Sequence, residues 1–240
     1  MKASISAILH GNPGEGKSWA GATAPAPRLL LDAEGGSRFC KRNHPMISWN
    51  PLTEAPPEWD GVWQSCFVSV QDWVTFDAAH QWLSSGKHPF KSVVIDSFTE
   101  LQKRLVDAVS GINQPTMQQW GEILRRMEDK ARALRDLAVR EDNNLEAVIA
   151  ICLSHSKDDK IRPFVKGSLE LSLPGFFDIV CFHYTTQDEA TGQINYQGLL
   201  APLNGIVAKD RTNVLVSKYG PALPSVNISE WLDLIRAEYA

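Results

Sequence analysis

Eight residues near the start of the chain limit what it can fold into more than any others. Gly11-Asn12-Pro13-Gly14-Glu15-Gly16-Lys17-Ser18 follows the pattern G-x-x-x-x-G-K-[ST] in full. The pattern works only between a strand and a helix. Its glycines let backbone N–H groups turn inward around phosphate oxygens, where side chains would obstruct them. The helix that begins near Lys17 aims its positive end at the same oxygens. The lysine reaches the β- and γ-phosphates, and the serine hydroxyl serves Mg²⁺. Gly11 to Ser18 are therefore read as a site for a nucleoside triphosphate, ATP with Mg²⁺.

The flanking pattern suits that reading. Residues 3–10 form an apolar run, and Ser18 to Thr23 can begin a helix that Pro25 and Pro27 must end. Buried strands are expected at 28–33, 66–70, 92–96 and 147–153, and later ones at 177–184, 194–200 and 214–217. Helical spacing covers 73–83, 98–110, 116–141 and 229–238. Residues 40–65 read as an irregular insert and 155–168 as a mobile polar loop. Trp49, Trp59, Trp63 and Trp73 gather around the insert and are expected to pack it onto the core. Strands alternate with helices as far as residue 155 and then dominate. The fold class is therefore α/β, with a mainly parallel central sheet flanked by helices and antiparallel strands at the C-terminal edge. All 240 residues fit one domain.

Composition removes several alternatives. The net charge of −4 means that any nucleic-acid site must be a local patch. Cys40, Cys66, Cys152 and Cys181 form no CxxC pair and no zinc spacing, which suits a reducing cytoplasm. No apolar run is long enough for a membrane span, and the first residues lack the apolar core of a signal peptide.

A phosphate loop needs a carboxylate at a neighbouring strand end to hold the metal. Val93-Val94-Ile95-Asp96 supplies Asp96, although an Asp followed by Ser97 would also suit a helix N-cap. Hydrolysis further needs a group that orients or deprotonates water. Leu29-Leu30-Leu31-Asp32-Ala33-Glu34 ends another strand in two carboxylates, and parallel strands open their carboxyl ends into one crevice. Glu34 is the chosen base, Asp32 the alternative and Glu100 a weaker one. The strand 148–153 ends in Ser154-His155, where a polar side chain could sense the γ-phosphate.

Together these segments resemble the RecA-like P-loop ATPase family, and most nearly its small phage-encoded nucleotide-binding and single-strand annealing recombination proteins. The carriers are Leu29 to Gly35, Val93 to Ser97, the Trp120 helix, Ser154-His155, and Leu173-Pro174-Gly175 before Asp178. The resemblance covers roughly residues 3–217. It implies a RecA-like P-loop NTPase core, Asp96 as metal carboxylate, Glu34 as catalytic glutamate and His155 in the γ-phosphate switch position. Lys209-Asp210-Arg211 is similar to the Lys-x-Lys pair that reaches across subunits in RecA filaments. Lys209 and Arg211, two apart on a strand, would share one face and stabilise phosphate charge in a neighbouring subunit.

The segment after His155 carries Lys157, Lys160, Arg162, Phe164 and Lys166. Cations with a stacking ring suit single-stranded DNA. The expected function is an ATP-binding and ATP-hydrolysing, DNA-stimulated recombination protein. It would bind single strands and promote annealing or pairing as a homo-oligomeric ring or filament, with a single-strand-binding protein as a further partner. A ring helicase or packaging motor, a small-molecule kinase, and a nucleotide-gated binding module with little turnover are the alternatives.

Overall fold

The computed structural model describes residues 4–36 and 45–239. Cys40 and the first part of the expected insert lie outside them. In chain order the elements begin with β1 (Ile5–Gly11), α1 (Lys17–Gly21), β2 (Arg28–Asp32), β3 (Met46–Ser48), β4 (Ser65–Ser69) and α2 (Trp73–Ser85). β5 (Ser92–Asp96), α3 (Phe98–Ser110), α4 (Met117–Val139), β6 (Ala147–Lys157), β7 (Lys160–Pro163) and α5 (Leu169–Phe176) follow. The chain continues through β8 (Ile179–Gln187), β9 (Ile194–Leu199), β10 (Lys209–Asp210), α6 (Val214–Tyr219), β11 (Ala222–Leu223) and α7 (Ile228–Tyr239).

The sheet runs in the order β11-β9-β8-β1-β6-β5-β2-β4-β3, with β10 paired to β8 and β7 to β6. The strands from β3 through β8 in that order are parallel to their neighbours, and β9, β11, β10 and β7 pair antiparallel. This is the expected α/β class, with its antiparallel strands at the C-terminal side. The inner strands read as unbroken apolar runs because both faces are covered. Their side chains alternate between two cores with the period of a strand. Ile8, Leu29, Leu31, Val93, Ile95, Val148 and Ala150 face α2 to α5. Leu9, Leu30, Val94, Ile149 and Ile151 face α1, α6 and α7.

Register is what builds the site. Gly11 stands opposite Leu153, Asp96 opposite Ile151, and Asp32 opposite Asp96. The carboxyl ends of β1, β6, β5 and β2 therefore form one crest, with β6 inserted between the phosphate-loop strand and the Asp96 strand.

Four local expectations change. The segment 155–168 is no open loop. β6 continues to Lys157, turns at Asp158 and Asp159 with φ of 52° and 56°, and returns as β7. The insert contributes β3, an edge strand. Trp49, Trp63 and Trp73 are buried in the core as expected, whereas Trp59 is half exposed and donates through Nε1 to the Trp63 carbonyl at 2.9 Å. A helix not foreseen, α5, precedes β8. Finally, Val214 to Ser217 form the start of α6 rather than a strand. The β-branched residues there are overruled by Asp210, whose carboxylate accepts from the N–H groups of Thr212 at 2.9 Å, Leu215 at 3.0 Å and Val216 at 3.1 Å. The last two are amides that a helix start leaves without partners. Among the described residues no helix is long and apolar enough to cross a membrane.

The replacement Asp210→Ala should cost about 2 kcal/mol, the upper range for a lost helix cap. Equilibrium urea unfolding measures this, and a midpoint equal to wild type would remove Asp210 as the cause of α6.

Candidate nucleotide-binding site

A cavity of about 540 Å³ opens over the crest. It is lined by Pro13, Gly14, Lys17 and Ser18 of the phosphate-loop segment, by Glu34, Asp96 and Ser97 at the ends of β2 and β5, and by Glu100, Lys103 and Arg104 of α3. The phosphate loop is held open by its surroundings. A Cβ on Gly11 would lie 2.6 Å from the His183 carbonyl oxygen, and one on Gly16, at φ 79°, would lie 2.9 Å from the Tyr196 ring. Neither glycine can be replaced without displacing backbone or an aromatic ring. The Glu15 side chain fastens the loop to itself, accepting from the Asn12 amide at 2.5 Å and from Asn12 Nδ2 at 3.1 Å.

Lys17 is buried and donates to the carbonyls of Gly11 at 2.9 Å and Asn12 at 2.6 Å. Burial pulls its ammonium below the ordinary value, and the carboxylates of Glu15, Asp96 and Glu34 oppose that pull. The lysine is thus a desolvated cation among acids, suited to bind phosphate.

Ser18 Oγ donates to Asp96 Oδ2 at 2.6 Å. Ser97, and not Asp96, caps α3, its hydroxyl accepting from the Glu100 amide at 3.2 Å. Asp96 is therefore not the N-cap that its sequence neighbours also allowed. A hydroxyl and a carboxylate side by side form a hard oxygen donor pair that fits Mg²⁺, which takes few protein ligands and completes its shell with water and phosphate. Among the described residues no group of three His, Cys, Asp or Glu gathers as a metal site. Ser18 and Asp96 with the nucleotide's own phosphates would hold the ion.

The two carboxylates of the β2 end do different work. Asp32 Oδ1 accepts from the amides of Glu34 at 3.1 Å and Gly35 at 2.7 Å, so it shapes the turn. Glu34 lines the cavity, and its carboxylate accepts the Ser97 hydroxyl. The turn is tied to β5, because the Asp96 carbonyl accepts from the Ala33 amide at 2.7 Å and the Glu34 amide at 3.3 Å. Glu100 also lines the cavity, but its carboxylate pairs with Lys103 at 2.7 Å.

His155 stands outside this constellation. Its Nε2 lies 3.3 Å from Glu170 Oε2, and its ring rests on Phe164 with centroids 4.9 Å apart. The part of β6 that lines the cavity is Ile151 to Leu153. Ser154 turns inward, its hydroxyl 2.8 Å from His10 Nδ1, while His10 Nε2 donates to the Val207 carbonyl at 2.7 Å.

Lys209 and Arg211 do not line the cavity, and both are engaged within their own chain. Lys209 Nζ donates to the carbonyls of Pro174, at 2.6 Å, and Phe177. Arg211 pairs with Asp178 at 2.8 Å and donates to the Gly175 carbonyl at 3.0 Å. Lys209 sits opposite Val180, near the amino end of β8 and away from the phosphate loop.

Of the cations proposed for nucleic acid, Lys157, Lys160 and Lys166 are exposed, and Phe164 is partly buried. Arg162 is 6% exposed and pairs with Glu170 at 3.3 Å, so it leaves that set. Lys157 reaches the same carboxylate at 3.1 Å. Lys166 stands over the Trp120 ring at 5.8 Å.

Ser97, Lys103, Arg104, His10, His183 and Tyr196 surround the site without having been singled out from the sequence. A helical repeat after Asp96 could have pointed to Glu100 and Arg104, four apart on one face. Nothing local marks the other five as part of the site.

The buried imidazoles give the site a pH signature. Burial lowers His10 from 6.5 to about 4, with Lys17 adding to the effect, and lowers His183 to about 3. His80 on α2 is likewise lowered to about 4 by burial and Lys130. Below pH 6.5 the unfolded chain takes up protons that the folded chain refuses. Stability should therefore be full above pH 6.5 and fall toward pH 4, by up to about 1.4 kcal/mol per pH unit for each imidazole. Asp77 and Glu170, held below their ordinary values of 3.8 and 4.5, add losses only at lower pH. Urea midpoints at pH 7.5 and 5 read this directly, and equal midpoints would contradict the buried neutral state.

No curated protein matches the chain. Among solved structures it is similar to the KaiC-like protein PH0186 of the hyperthermophilic archaeon Pyrococcus horikoshii OT3. That match has 13% identity and a TM-score of 0.43, covering 81% of this chain and 77% of the other. It is also similar to an ATPase of the type III secretion system of pathogenic bacteria, at 12% identity and a TM-score of 0.46. The match takes in 75% of this chain and about half, 52%, of that ATPase. A family model described as an AAA domain, AAA_24, matches residues 3–212. With the phosphate loop, Asp96 and Glu34 all inside that span, the chain belongs to this AAA-domain family of nucleotide-binding, ATPase-type proteins.

Proposed function

We propose that this chain hydrolyses ATP with Mg²⁺ and uses the nucleotide to control its contact with single-stranded DNA. The observation that carries the first half is the pairing of two strand ends inside one cavity. Ser18 lies 2.6 Å from Asp96, and Ser97 holds the Glu34 carboxylate beside them. Lys17 would bind the β- and γ-phosphates, and its low solvation makes its charge count for more than at the surface. The metal, when bound, neutralises charge on the phosphate oxygens. Glu34 would orient a water and accept its proton. Ser97 fixes the carboxylate's direction, as the third group of such a relay does. Asp32 holds the turn on which Glu34 rides.

The second half rests on how the hairpin is rooted. β6 lines the cavity at Ile151 to Leu153 and continues into the hairpin that carries Lys157 and Lys160. The returning segment is laced to α3. Thr99 Oγ1 donates to the Phe164 carbonyl at 2.7 Å and accepts from the Leu153 amide at 3.0 Å. Gln102 bonds both the amide and the carbonyl of Lys166, at 2.6 Å and 3.2 Å. A shift at Asp96 thus has a covalent and hydrogen-bonded route to Lys157, Lys160, Phe164 and Lys166. Together with the resemblance to phage annealing proteins, this supports a recombination role in annealing or pairing, carried out by a homo-oligomer.

ATP hydrolysis with and without single-stranded DNA tests both halves. Lys17→Ala should reduce turnover at least about 100-fold. Glu34→Gln should retain nucleotide binding and lose hydrolysis, whereas retained hydrolysis would return the base to Asp32 or Glu100. Single-stranded DNA should raise wild-type turnover, with the effect fading as salt rises. Hydrolysis indifferent to DNA, with no DNA bound at low salt, would leave an ATPase without the DNA role.

A further inference from the structure

α3 brings a cation into the nucleotide cavity from a direction that neither the phosphate loop nor the catalytic strands use. It starts immediately after Asp96 and Ser97, and its residues Glu100, Lys103 and Arg104 line the same cavity as Lys17. The same cavity that holds Lys17, Ser18 and Asp96 thus also holds two cations from α3. A charge developing there during transfer needs a cation, and the cations at 209 and 211 are bound elsewhere in their own chain.

We propose that Arg104 contacts the terminal phosphate of the bound triphosphate within the same chain, and so separates triphosphate from diphosphate. This rests on the nucleotide-hydrolysing reading of the cavity. Three observations place the guanidinium. Its Nη2 donates to the Ala33 carbonyl at 3.2 Å, one residue before Glu34, which fixes it beside the water-directing carboxylate. Its Nε–H is buried without a hydrogen-bond partner among the described residues, so the guanidinium that lines the cavity does not have all its donors spent. Its nearest acid, Glu100, stands 3.7 Å away, beyond hydrogen-bond range, and is bound more closely by Lys103 at 2.7 Å. An arginine has five donors in a planar fork, so it can keep the Ala33 carbonyl and still offer N–H groups to phosphate oxygens. Lys103 is the less suitable cation, being more exposed and spent on Glu100.

The bland alternative is that Arg104 only braces the 33–34 turn. Arg104→Gln separates the two through the ligand ratio, because a lost brace of the turn weakens both nucleotides alike, whereas a lost contact to the terminal phosphate weakens only the triphosphate. Binding of Mg-ADP and of the non-hydrolysable Mg-AMP-PNP is measured for wild type and variant, with single-turnover ATP hydrolysis alongside. Arg104→Gln should leave ADP affinity within about twofold and weaken AMP-PNP about tenfold or more, the scale of a lost charged hydrogen bond. Hydrolysis should fall about 100-fold or more. Equal weakening of both ligands, or a variant that matches wild type, would overturn the assignment. Should Arg104→Gln not fold, Arg104→Lys is read by the same ratio: selective weakening of AMP-PNP supports the contact, and equal weakening overturns it. Mixing Lys17→Ala chains with Arg104→Gln chains tests the geometry, since recovered turnover would mean that Arg104 serves a neighbour. A wild type that binds ATP without turnover would end the hydrolytic reading, while the AMP-PNP to ADP ratio would still decide Arg104.

Discussion

Asp96 is a carboxylate only 5% exposed, set in the middle of a parallel sheet and in register with a second buried acid, Asp32. Two such groups at neighbouring strand ends are costly unless each is supplied with donors. The structure supplies them separately. Asp32 receives the backbone amides of its own turn, while Asp96 receives Ser18 across the crest. Lys17 adds a cation felt by Asp96 and Glu34 alike. Each of these partners sits on a segment that leaves directly from a strand end, so the arrangement depends on the register of β1, β6, β5 and β2. A slip of one residue would turn every side chain to the opposite face and dissolve the site.

From that constraint the remaining architecture follows in order. The four strands are buried on both faces, which requires helices on each side. α3 leaves directly from Asp96, is capped by Ser97, and carries both the hydrogen bonds that anchor the hairpin and the arginine that faces the cavity. One short segment, 96 to 104, therefore links Asp96, the Ser97 hydroxyl that holds Glu34, the hairpin root and the arginine on the cavity wall. The buried imidazoles of His10 and His183 pack behind the phosphate loop without adding charge next to Lys17, since burial keeps both neutral at ordinary pH. Cys66 and Cys152, each pushed up to about 12 by burial, are inert parts of the core.

The parts legible in the sequence were those with a local signature. Gly11 to Ser18 is a contiguous pattern, and the apolar runs ending in Asp96 and in Asp32-Ala33-Glu34 reveal both strand and acid at once. The hairpin at 155–163 was hidden because its strands are polar, and because its turn uses two aspartates at positive φ where a glycine or asparagine would have signalled it. α6 was hidden because Val-Leu-Val favours a strand until Asp210 caps it. Ser97, His10, His183 and Tyr196 take their roles from partners 63 to 197 residues away or from packing, which no window along the chain displays. Arg162 illustrates the converse: a basic residue in a basic stretch, buried by a single acid, Glu170.

The proposed chemistry requires Asp96 and Ser18 to form a metal-dependent triphosphate site. Calorimetric titration of ATP into the protein, with Mg²⁺ and with the metal chelated, measures this in wild type and in Asp96→Asn. Wild type should bind ATP more tightly with Mg²⁺, and Asp96→Asn should lose most of that advantage while still binding the metal-free nucleotide through the phosphate loop. Equal affinities with and without metal in wild type, or an Asp96→Asn protein with the full metal effect, would contradict it.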